Sequence, residues 1–503
     1  MTAPLHAKYR EVPLDAHDAM IQFDSHFGTH TPLDQWQQLQ HWIKTYGLAV
    51  GNTPLKSSPK PLFMSHQDRS RMANATTAVN SIVDTVARLL LTRDDVAIFL
   101  GFNKIRHAFL FSDCGYSDMY PVVRYDVFYD RNLNQLKFME FNTHSPSSIG
   151  LHDQLVECLK KLTTIRAMKN SASFQVDRLI DGLAETLIQT YRDYCRKKGH
   201  PISPKPFIVV MASKTSTVRN DAEQMASLLR SRGMHCNYAY PQQLSDCNGG
   251  LALNGEKIDI IYRDAIQDFA VPLFGIHDKL RYSVQYLVKC LVNRARFRRD
   301  NLRYLFNDNL YVKAMSVTKA CRLASVCVVN PAFSYMLSSK LVLALLHDHV
   351  FRDCFTQKQR SAIRKYIPWT HVLKPGSVHY EDKTIDIIEF VKSNKDRFVI
   401  KPALGYGGYG VAIGCKSDQK AWNRRVENTY KYKRLDIVQD LLDIPEVQFP
   451  ELNDDGSVGY QTSKINLNLW SFSGRFLGAF VRASKGPVIN LHAGGMLVPV
   501  FYV

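Results

Sequence analysis

The feature that most constrains the fold of this chain is the segment 397–411. An apolar strand there ends in Lys401, Pro402 stops the strand, and four glycines lie among the six positions 405–410 before apolar residues resume. A flexible loop of this kind between antiparallel strands, with a fixed cation beside it, can lie over a polyphosphate and present backbone N–H groups to it. The spacing is not that of a P-loop or of a Rossmann fingerprint. A glycine-rich hairpin without a ligand remains the alternative.

A second polar pattern lies far upstream. Arg124 and Asp126 belong to one predicted strand, a polar turn follows at 131–134, and Glu140 and Asn142 end a second strand. Residues two apart in a strand share a face, so Glu140 and Asn142 point the same way, and Asp126 can meet them from the partner strand of the hairpin. Carboxylate and amide oxygens are ligands that suit Mg²⁺. An ordinary solvent-facing hairpin is the alternative for this segment taken alone.

Composition favours a soluble protein of several packed units. The 503 residues are 45% hydrophobic and 11% aromatic, enough to bury a large core. The longest apolar runs fall far short of the roughly 18 residues that a membrane span requires, and the first residues show no apolar signal segment. We therefore expect no membrane helix and a cytoplasmic location. The ten cysteines are scattered without Cys-x-x-Cys spacing, which indicates reduced, structural thiols.

The formal net charge of +18 implies attraction to anions, which include nucleotide phosphates, acidic substrates and nucleic acid. The densest basic run, at 294–303, is compatible with a nucleic-acid patch, but such runs are more often solvated helix faces. His144, which follows the predicted hairpin, is an acid/base candidate, although a lone histidine in such a turn is more often structural. We do not assign His347 or His349 to a metal.

Hydrophobic periodicity predicts the order of the helices and strands. A first helix is predicted from apolar residues at helical spacing behind a Thr-Pro pair, namely Trp36, Leu39, Trp42 and Ile43. The further predicted elements are a helix at 73–91, strands between 96 and 142, a helix from 151 into the 190s, a βαβ unit with strands 207–211 and 235–240 around a helix at 221–232, a strand at 259–263, a long helix at 280–298 and a β-rich final third.

Together these segments resemble the ATP-grasp superfamily, whose members carry a strand-ending lysine before a glycine-rich loop that covers the phosphates of ATP. Lys340, which opens an apolar helix, resembles the first ATP-contacting lysine of the family. The strand 437–440 lies where the family has the hinge that meets adenine and ribose. The hairpin 465–482 places Arg482 where the family keeps a cation near the γ-phosphate.

The order of the segments is similar to that of the circularly permuted branch that includes glutathionylspermidine synthase, because the acidic hairpin comes first. The stretch 140–150 resembles that branch's Glu-x-Asn motif followed by a turn of proline and small residues, and 490–500 resembles its terminal Asn, Gly-Gly and Pro pattern. The resemblance covers roughly residues 95–150 and 205–503. Gln439 departs from the family, many of whose members have glutamate there, and no segment resembles the amidase half of bifunctional glutathionylspermidine enzymes.

The resemblance implies an α/β fold with α+β elements, namely an ATP-grasp fold with permuted metal-binding strands and a Rossmann-like βαβ pre-ATP domain. It divides the chain into an N-terminal helical region at 1–94, the permuted metal-binding part of the core plus a helix at 95–200, the βαβ substrate domain at 201–300 and the nucleotide-binding lobe at 301–503. Substrate specificity is expected in the loops 212–218 and 263–270 and in the N-terminal region.

The activity that the resemblance implies is that of an ATP-dependent carboxylate–amine ligase, which forms an amide or peptide-like bond through an acyl phosphate and releases ADP and phosphate. The implied Mg²⁺ ligands are Asp126, Glu140 and Asn142. The implied ATP contacts are Lys340, Lys401, Gly405, Gly407, Gly408, Gly410, Gln439 and Asp440. The residues implied to hold the γ-phosphoryl group and the substrate carboxylate are Arg482 and Arg124.

The expected partners are a small-molecule carboxylate, either an amino acid or a short peptide, and an amine; nucleic acid is not expected. Two other functions remain open. One is a phosphotransferase that uses the same ATP site but delivers the phosphoryl group to a hydroxyl. The other is a non-catalytic protein that binds nucleotide or nucleic acid. The non-catalytic function is disfavoured because the chain retains all of the main implied site residues, whereas a decayed site would have lost some of them. These residues are Asp126, Glu140, Asn142, Lys340, Lys401 and Arg482.

Overall fold

The computed structural model describes residues 16–503 apart from positions 30, 105–106, 132, 170–173, 215, 249, 264–319, 321–322, 406–407, 409, 433 and 487–488. Its helices are, in chain order, α1 (Ala16–Thr29), α2 (Pro32–Thr45), α3 (His66–Thr92), α4 (Asp94–Phe99), α5 (Ile149–Leu159), α6 (Thr163–Lys169), α7 (Leu179–Lys198), α8 (Arg219–Ser231), α9 (Ser334–Leu337), α10 (Leu341–Leu345), α11 (Gln357–Tyr366), α12 (Ile387–Ser393) and α13 (Gln419–Lys431). In this described part of the chain, no helix has the length and apolar character needed to cross a membrane.

The strands are β1 (Ala49–Val50), β2 (Thr53–Pro54), β3 (Leu62–Met64), β4 (Val122–Asp130), β5 (Gln135–Asn142), β6 (Ile208–Met211), β7 (Cys236–Ala239), β8 (Leu244–Cys247), β9 (Gly250–Leu253), β10 (Glu256–Lys257), β11 (Ile260–Arg263), β12 (Cys327–Val329), β13 (Thr370–Val372), β14 (Ser377–Tyr380), β15 (Lys383–Asp386), β16 (Phe398–Pro402), β17 (Ala412–Ile413), β18 (Asp436–Asp440), β19 (Glu446–Leu452), β20 (Val458–Phe472), β21 (Arg475–Ser484) and β22 (Met496–Tyr502).

A seven-stranded sheet joins distant parts of the sequence. Its order is β3-β22-β21-β20-β4-β5, and β19 pairs with β20 as well. The predicted hairpin of β4 and β5 is confirmed, and β4 pairs antiparallel with β20. Residues of α3, such as Val79 and Val83, share one buried core with Tyr125 of β4 and Leu467 of β20. The acidic hairpin and the strands of the last third therefore form one continuous sheet.

The predicted βαβ unit is confirmed. It belongs to a four-stranded sheet of order β12-β11-β6-β7 in which each strand pair is parallel. Helix α8 connects β6 to β7. Every residue of β6 and of β11 is buried, which is the pattern of parallel strands that are covered on both faces.

A third sheet, of order β13-β18-β16-β17, carries the strand that ends near Lys401. β16 pairs antiparallel with β17, as predicted for the strands that flank the glycine-rich loop. Ile400 and Val438 pack on one face of this sheet against Trp422 of α13 in a small core of their own. Because side chains alternate along a strand, Lys401 lies on the opposite face.

The N-terminal helices agree with the periodicity, with one difference in extent. α2 begins after Thr31 with Pro32 in its first turn, as predicted. The helix predicted at 73–91 begins earlier, at His66. A capping box sets this start, because Ser65 accepts the backbone N–H of Asp68 while the Asp68 side chain accepts the backbone N–H of Ser65.

Two predictions are wrong in extent. Positions 96–121 hold no strand among their described residues, because α4 buries Val96 as part of a helix and the first strand of this region begins at Val122. The helix predicted from 151 into the 190s is three helices, α5, α6 and α7. Asp153 accepts the N–H groups of Leu179 and Ile180, which starts α7 as a new helix. The helix predicted at 280–298 and the basic run at 294–303 lie outside the described residues.

Candidate active site

The hairpin of β4 and β5 brings the predicted metal ligands together. Its register pairs Asp126 with Glu140 and Arg124 with Asn142, so the four side chains share one face. The Asn142 Nδ2 donates a hydrogen bond to the Asp126 Oδ1 at 3.0 Å, and the Arg124 Nε donates to the same oxygen at 3.0 Å. The Asp126 carboxylate is therefore the centre of a charged hydrogen-bond network on this face of the sheet.

Arg482 reaches the same carboxylate from β21. Strand β20 lies between β21 and β4, so the Arg482 side chain extends across β20, and its Nη1 lies 3.4 Å from the Asp126 Oδ2. The pKa of Arg482 is lowered to about 10, mainly by burial and also by the nearby Arg124, while Asp126 and Glu140 act in the opposite direction. The guanidinium groups of Arg124 and Arg482 thus flank one carboxylate.

Lys340 connects the acidic hairpin to the glycine-rich segment. It lies at the N-cap position of α10, as predicted, and its backbone N–H donates to the carbonyl oxygen of Ala403 at 2.9 Å. Its Nζ lies 2.9 Å from the Glu140 Oε1 and 2.8 Å from the Gly405 carbonyl oxygen. One buried ammonium group thus contacts a predicted metal ligand and the start of the predicted phosphate loop.

Lys401 and Gln439 form a second contact, on the face of the third sheet opposite the core around Trp422. They lie on the neighbouring antiparallel strands β16 and β18, and the Lys401 Nζ donates to the Gln439 Oε1 at 2.6 Å. The Gln439 Nε2 donates in turn to the Thr370 Oγ1 at 2.9 Å. The pKa of Lys401 is lowered to about 8, mainly by burial and also by Lys340, while Glu140 and Asp126 act in the opposite direction. The direct partner of this lysine is a neutral amide.

Two glycines of the loop, Gly408 and Gly410, adopt conformations that favour glycine. Gly408 and Gly410 have φ angles of 74° and 73°, in the left-handed region. A Cβ added at Gly410 would lie 2.8 Å from the Cγ of Pro402, so the loop passes close to the end of β16. Gly407 lies outside the described residues.

The carboxylate of Asp440 lies away from this cluster. Asp440 alternates with Gln439 along β18, so its side chain projects from the other face of the sheet. Its Oδ1 accepts a hydrogen bond from the Tyr380 hydroxyl at 3.2 Å. Burial raises the pKa of Asp440 to about 6. The structure brings Gln439 to the lysines but does not bring the Asp440 carboxylate there.

Two buried asparagines that sequence reasoning missed lie between Arg482 and Asp126. In the strand register Asn466 is opposite Arg482, and Asn468 is opposite Asp126. The Asn468 Nδ2 donates to the backbone oxygen and to the Oδ1 of Asn466, both at 3.0 Å. The signal that could have found them is their spacing, since two asparagines two apart in the mainly apolar second half of the strand mark one polar face.

The donor set fits a Mg²⁺ ion that arrives with phosphate oxygens. The chain offers two carboxylates and one amide here, and the described residues contain no group of three or more His, Cys, Asp or Glu that could hold a metal by themselves. Mg²⁺ commonly takes one or two carboxylates and fills its shell with water and substrate phosphates. Lys340 and Lys401 supply the charge that a polyphosphate needs.

A cleft opens beside Arg482. It is open to solvent, and among its lining residues are Val50, Ser147, Thr217, Asp221, Arg482 and His492. The Asp221 carboxylate shapes one wall, because it accepts the N–H groups of Ser148 at 2.6 Å and Leu151 at 2.8 Å. Val50 and Thr217 belong to the N-terminal region and to the loop 212–218, where specificity is expected.

His144 is held as a buried structural group. Its ring nitrogens lie 2.7 Å and 2.9 Å from the guanidinium of Arg263, and its Nδ1 lies 3.2 Å from the Ser334 Oγ. Burial lowers the pKa of His144 well below its usual value, and Arg263 adds to the effect. Burial likewise lowers the pKa of His347 to about 4. The eight described cysteines are free thiols.

Comparison with solved structures shows the fold. A glutathione synthetase like-effector (GSS30) from Globodera pallida, solved in its apoform, matches with a TM-score of 0.56 and 13% identity over 94% of this chain and 97% of that chain. A putative gamma-glutamylcysteine synthetase from Methylobacillus flagellatus KT aligns over 83% of this chain and 86% of that chain, with 10% identity and a TM-score of 0.39. No protein-family model matches the chain. No curated protein matches it either.

The match to the effector shows a shared fold that spans nearly the whole of both chains. The predicted mixed α/β fold with α+β elements is thereby confirmed. At 13% identity the match shows a shared fold and assigns no role to any residue of the cluster.

Proposed function

We propose that the chain is an ATP- and Mg²⁺-dependent carboxylate–amine ligase of the permuted ATP-grasp type. The observation that carries the proposal is the double contact of Lys340 with the Glu140 carboxylate and the Gly405 carbonyl oxygen. One cation joins the acidic hairpin to the glycine-rich loop, which is where a triphosphate with its metal ion would need to be held. The name of the effector that shares the fold, glutathione synthetase like, is in keeping with a ligase.

Each charged group has a separate role in this proposal. Lys340 and Lys401 hold the α- and β-phosphates, while Arg482 and Arg124 hold the γ-phosphoryl group and the substrate carboxylate in line. Asp126, Glu140 and Asn142 hold the metal ion. When bound, Mg·ATP supplies the phosphoryl group that turns the substrate carboxylate into an acyl phosphate with release of ADP. An amine would then attack the acyl carbon, form the amide bond and displace phosphate, with loss of a proton.

The glycine-rich loop is the proposed lid over the site. Glycines with positive φ allow the backbone to change conformation at low steric cost. Closure of the loop excludes water, which would otherwise hydrolyse an acyl phosphate. The hydrogen bond from Lys340 to the Gly405 carbonyl oxygen fixes the first residue of this lid to the cluster.

The remaining expectations are part of the same proposal. The carboxylate, an amino acid or a short peptide, and the amine are small molecules, and the cleft beside Arg482 is where we propose that they bind. The division into regions 1–94, 95–200, 201–300 and 301–503 follows the ATP-grasp arrangement, and the proposed location is the cytoplasm.

Calorimetric titration with ATP, in the presence and absence of Mg²⁺, tests the proposal. We expect the wild type to require Mg²⁺, and Glu140→Ala and Lys401→Ala to weaken binding by about tenfold or more, the loss expected for one charged contact. Glu157→Ala and Lys392→Ala are matched controls, because both side chains form ion pairs outside the cluster. A wild type that binds no nucleotide would show that the proposal is wrong.

Product analysis separates the ligase from a phosphotransferase. A ligase turns over ATP to ADP repeatedly only when both a carboxylate and an amine are present. Phosphate that stays on a hydroxyl acceptor would identify a phosphotransferase instead.

A further inference from the structure

Two buried groups of complementary hydrogen-bonding chemistry lie in the cluster without a partner. The Nε–H of Arg482 is a donor and the Oδ1 of Asn468 is an acceptor, and neither has a hydrogen-bond partner within the described structure. A buried polar group that is left without a hydrogen bond destabilises the fold. The same small region therefore carries this cost twice, once for a donor and once for an acceptor.

The strand register brings the two groups close to each other. Asn466 lies opposite Arg482 on β21, and Asn468, two residues further along β20, lies opposite Asp126 on β4. Arg482 is thus a diagonal neighbour of Asn468, and diagonal pairs in a sheet are within reach of long side chains. Arg482 must also pass over β20 to reach Asp126. Its guanidinium accordingly extends across the strand from which the Asn468 amide projects.

The contact with Asp126 accounts for the absence of an Arg482–Asn468 hydrogen bond. The guanidinium is drawn toward β4 by an ion pair of 3.4 Å. The contact with Arg482 is the longest and weakest of these contacts to the Asp126 carboxylate, because Arg124 and Asn142 both donate to it at 3.0 Å. If Asp126 turns to a metal ion, Arg482 is the first group to be released.

We propose that Asn468 is the positioning residue for Arg482: when the guanidinium leaves Asp126 to engage the γ-phosphoryl group, its Nε–H donates to the Asn468 Oδ1. The Asn468 amide is already oriented for this contact, because its Nδ2 donates to Asn466. Its Oδ1 is therefore the atom left to accept a hydrogen bond. Because the Nε–H donates to Asn468, both Nη groups of Arg482 remain to donate to phosphate oxygens. This inference rests on the proposed function.

The first test measures how strongly the protein prefers a triphosphate to a diphosphate. The ratio of the affinities for Mg·AMP-PNP and Mg·ADP reports on groups that hold the γ-phosphoryl position. Asn468→Leu removes the acceptor at similar volume, and we expect this ratio to fall by about tenfold while the ADP affinity stays within about twofold, as for the loss of one charged hydrogen bond. A folded Asn468→Leu protein that keeps the wild-type ratio overturns the proposal.

Asn80→Leu is the matched control. Asn80 is also a buried amide, but it bonds Ser471, the Gly474 carbonyl oxygen and Tyr125, which lie outside the cluster. We expect the nucleotide preference of this variant to equal that of the wild type. A fall in both variants would mean that loss of any buried amide has the effect, which also overturns the proposal.

The second test uses the wild type and so does not depend on a variant that folds. The Nε–H of Arg482 is followed by ¹⁵N-arginine NMR, with the signal assigned by its loss in Arg482→Lys. We expect its solvent exchange to slow when Mg·AMP-PNP binds and not when Mg·ADP binds. Protection that is already present without nucleotide, and is unchanged by it, would show an ordered water between the two groups instead. If the wild type binds neither nucleotide, the proposed function itself is wrong.

Discussion

Lys340 and Glu140, separated by 200 positions in the sequence, form an ion pair of 2.9 Å on the polar face of the large sheet. Only 8% of the lysine side chain and 23% of the glutamate side chain are exposed. Asp126 is held in the same way by Arg124 and Arg482. In the absence of nucleotide, both carboxylates of the predicted metal site are therefore neutralised by cations of the protein itself.

This arrangement predicts that a divalent cation binds together with nucleotide and not before it. A metal ion alone would have to displace Lys340 from Glu140 and both arginines from Asp126, whereas a polyphosphate offers these cations new anionic partners. Electron paramagnetic resonance of Mn²⁺ measures the free ion directly. We expect little Mn²⁺ binding by the nucleotide-free wild type, and binding beyond that of the nucleotide alone when AMP-PNP is added.

Lys340→Ala is the informative variant for this experiment. It leaves Glu140 without its cation, so we expect tighter Mn²⁺ binding without nucleotide than in the wild type. Lys392→Ala, which removes a lysine from a surface ion pair, is expected to change nothing. Tight Mn²⁺ binding by the nucleotide-free wild type would contradict the prediction.

The parts of the site that sequence could predict are local. Glu140 and Asn142 are two apart on one strand, and Asp126 lies across a short turn, so alternation alone places them on one face. Lys340 follows from the start of an apolar helix. The βαβ unit is predicted for the same reason, because strand and helix periods repeat within a few dozen residues.

The parts that sequence could not predict depend on register between distant strands. Arg482 meets Asp126 only because β20 and β21 pair beside β4, and the role of Asn468 follows from that same pairing. Because side chains alternate along a strand, the sequence predicts that Gln439 and Asp440 face opposite ways. It does not predict which of them faces Lys401, since this depends on how β18 pairs with β16.

The lowered pKa of Lys401 predicts a pH dependence of nucleotide binding. Phosphates bind the protonated ammonium, and burial lowers the pKa of this lysine to about 8 in the nucleotide-free protein. We expect the Mg·ATP affinity to be constant below about pH 8 and to fall above it, by up to about tenfold per pH unit. Lys401→Arg keeps its charge throughout this range and should lose the dependence. A flat profile for the wild type would show that Lys401 does not hold phosphate as an ammonium group.

Gln439→Glu predicts a shift of that profile. The Gln439 Oε1 accepts a hydrogen bond from the Lys401 Nζ at 2.6 Å, and a glutamate there would place a carboxylate on the ammonium. An opposite charge raises the pKa of a lysine. We expect the fall in Mg·ATP affinity to begin at higher pH in this variant, as measured by calorimetry between pH 7 and 10. A midpoint unchanged from the wild type would mean that the 439 side chain does not set the charge of Lys401.

Asp440→Asn predicts an effect on stability with little effect on binding. Burial raises the pKa of Asp440 to about 6 from its usual 3.8. Between these values the folded protein binds a proton that the unfolded chain has lost, so this group makes the free energy of unfolding decrease as the pH rises from about 4 to about 6. Asp440→Asn should remove this part of the slope in urea unfolding, whereas Asp382→Asn, at an exposed turn, should retain it.

Binding by Asp440→Asn then shows which part of the hinge meets the nucleotide. Because the Asp440 carboxylate is bonded to Tyr380 on the far face, we expect any nucleotide contact at this position to come from the backbone. The Mg·ATP affinity of the variant should therefore stay within about twofold of the wild type, less than one hydrogen bond to a charged group would change it. A loss of tenfold or more would assign the contact to the carboxylate instead.

Gly410→Ala is expected to weaken Mg·ATP binding in addition to lowering stability. Gly410 has a φ of 73°, and an added Cβ would lie 2.8 Å from the Cγ of Pro402, so the loop must move away from the strand that carries Lys401. Gly456→Ala is the control, with a φ of 82° and nothing within 4 Å of the added Cβ. Both variants bear the backbone cost of about 1–2 kcal/mol for a left-handed alanine, measured by urea unfolding. Only Gly410→Ala should also weaken Mg·ATP binding, by about tenfold, because only in this variant does the proposed lid lose its position over the phosphates. Equal Mg·ATP affinities in the two variants would show that the loop does not cover the phosphates.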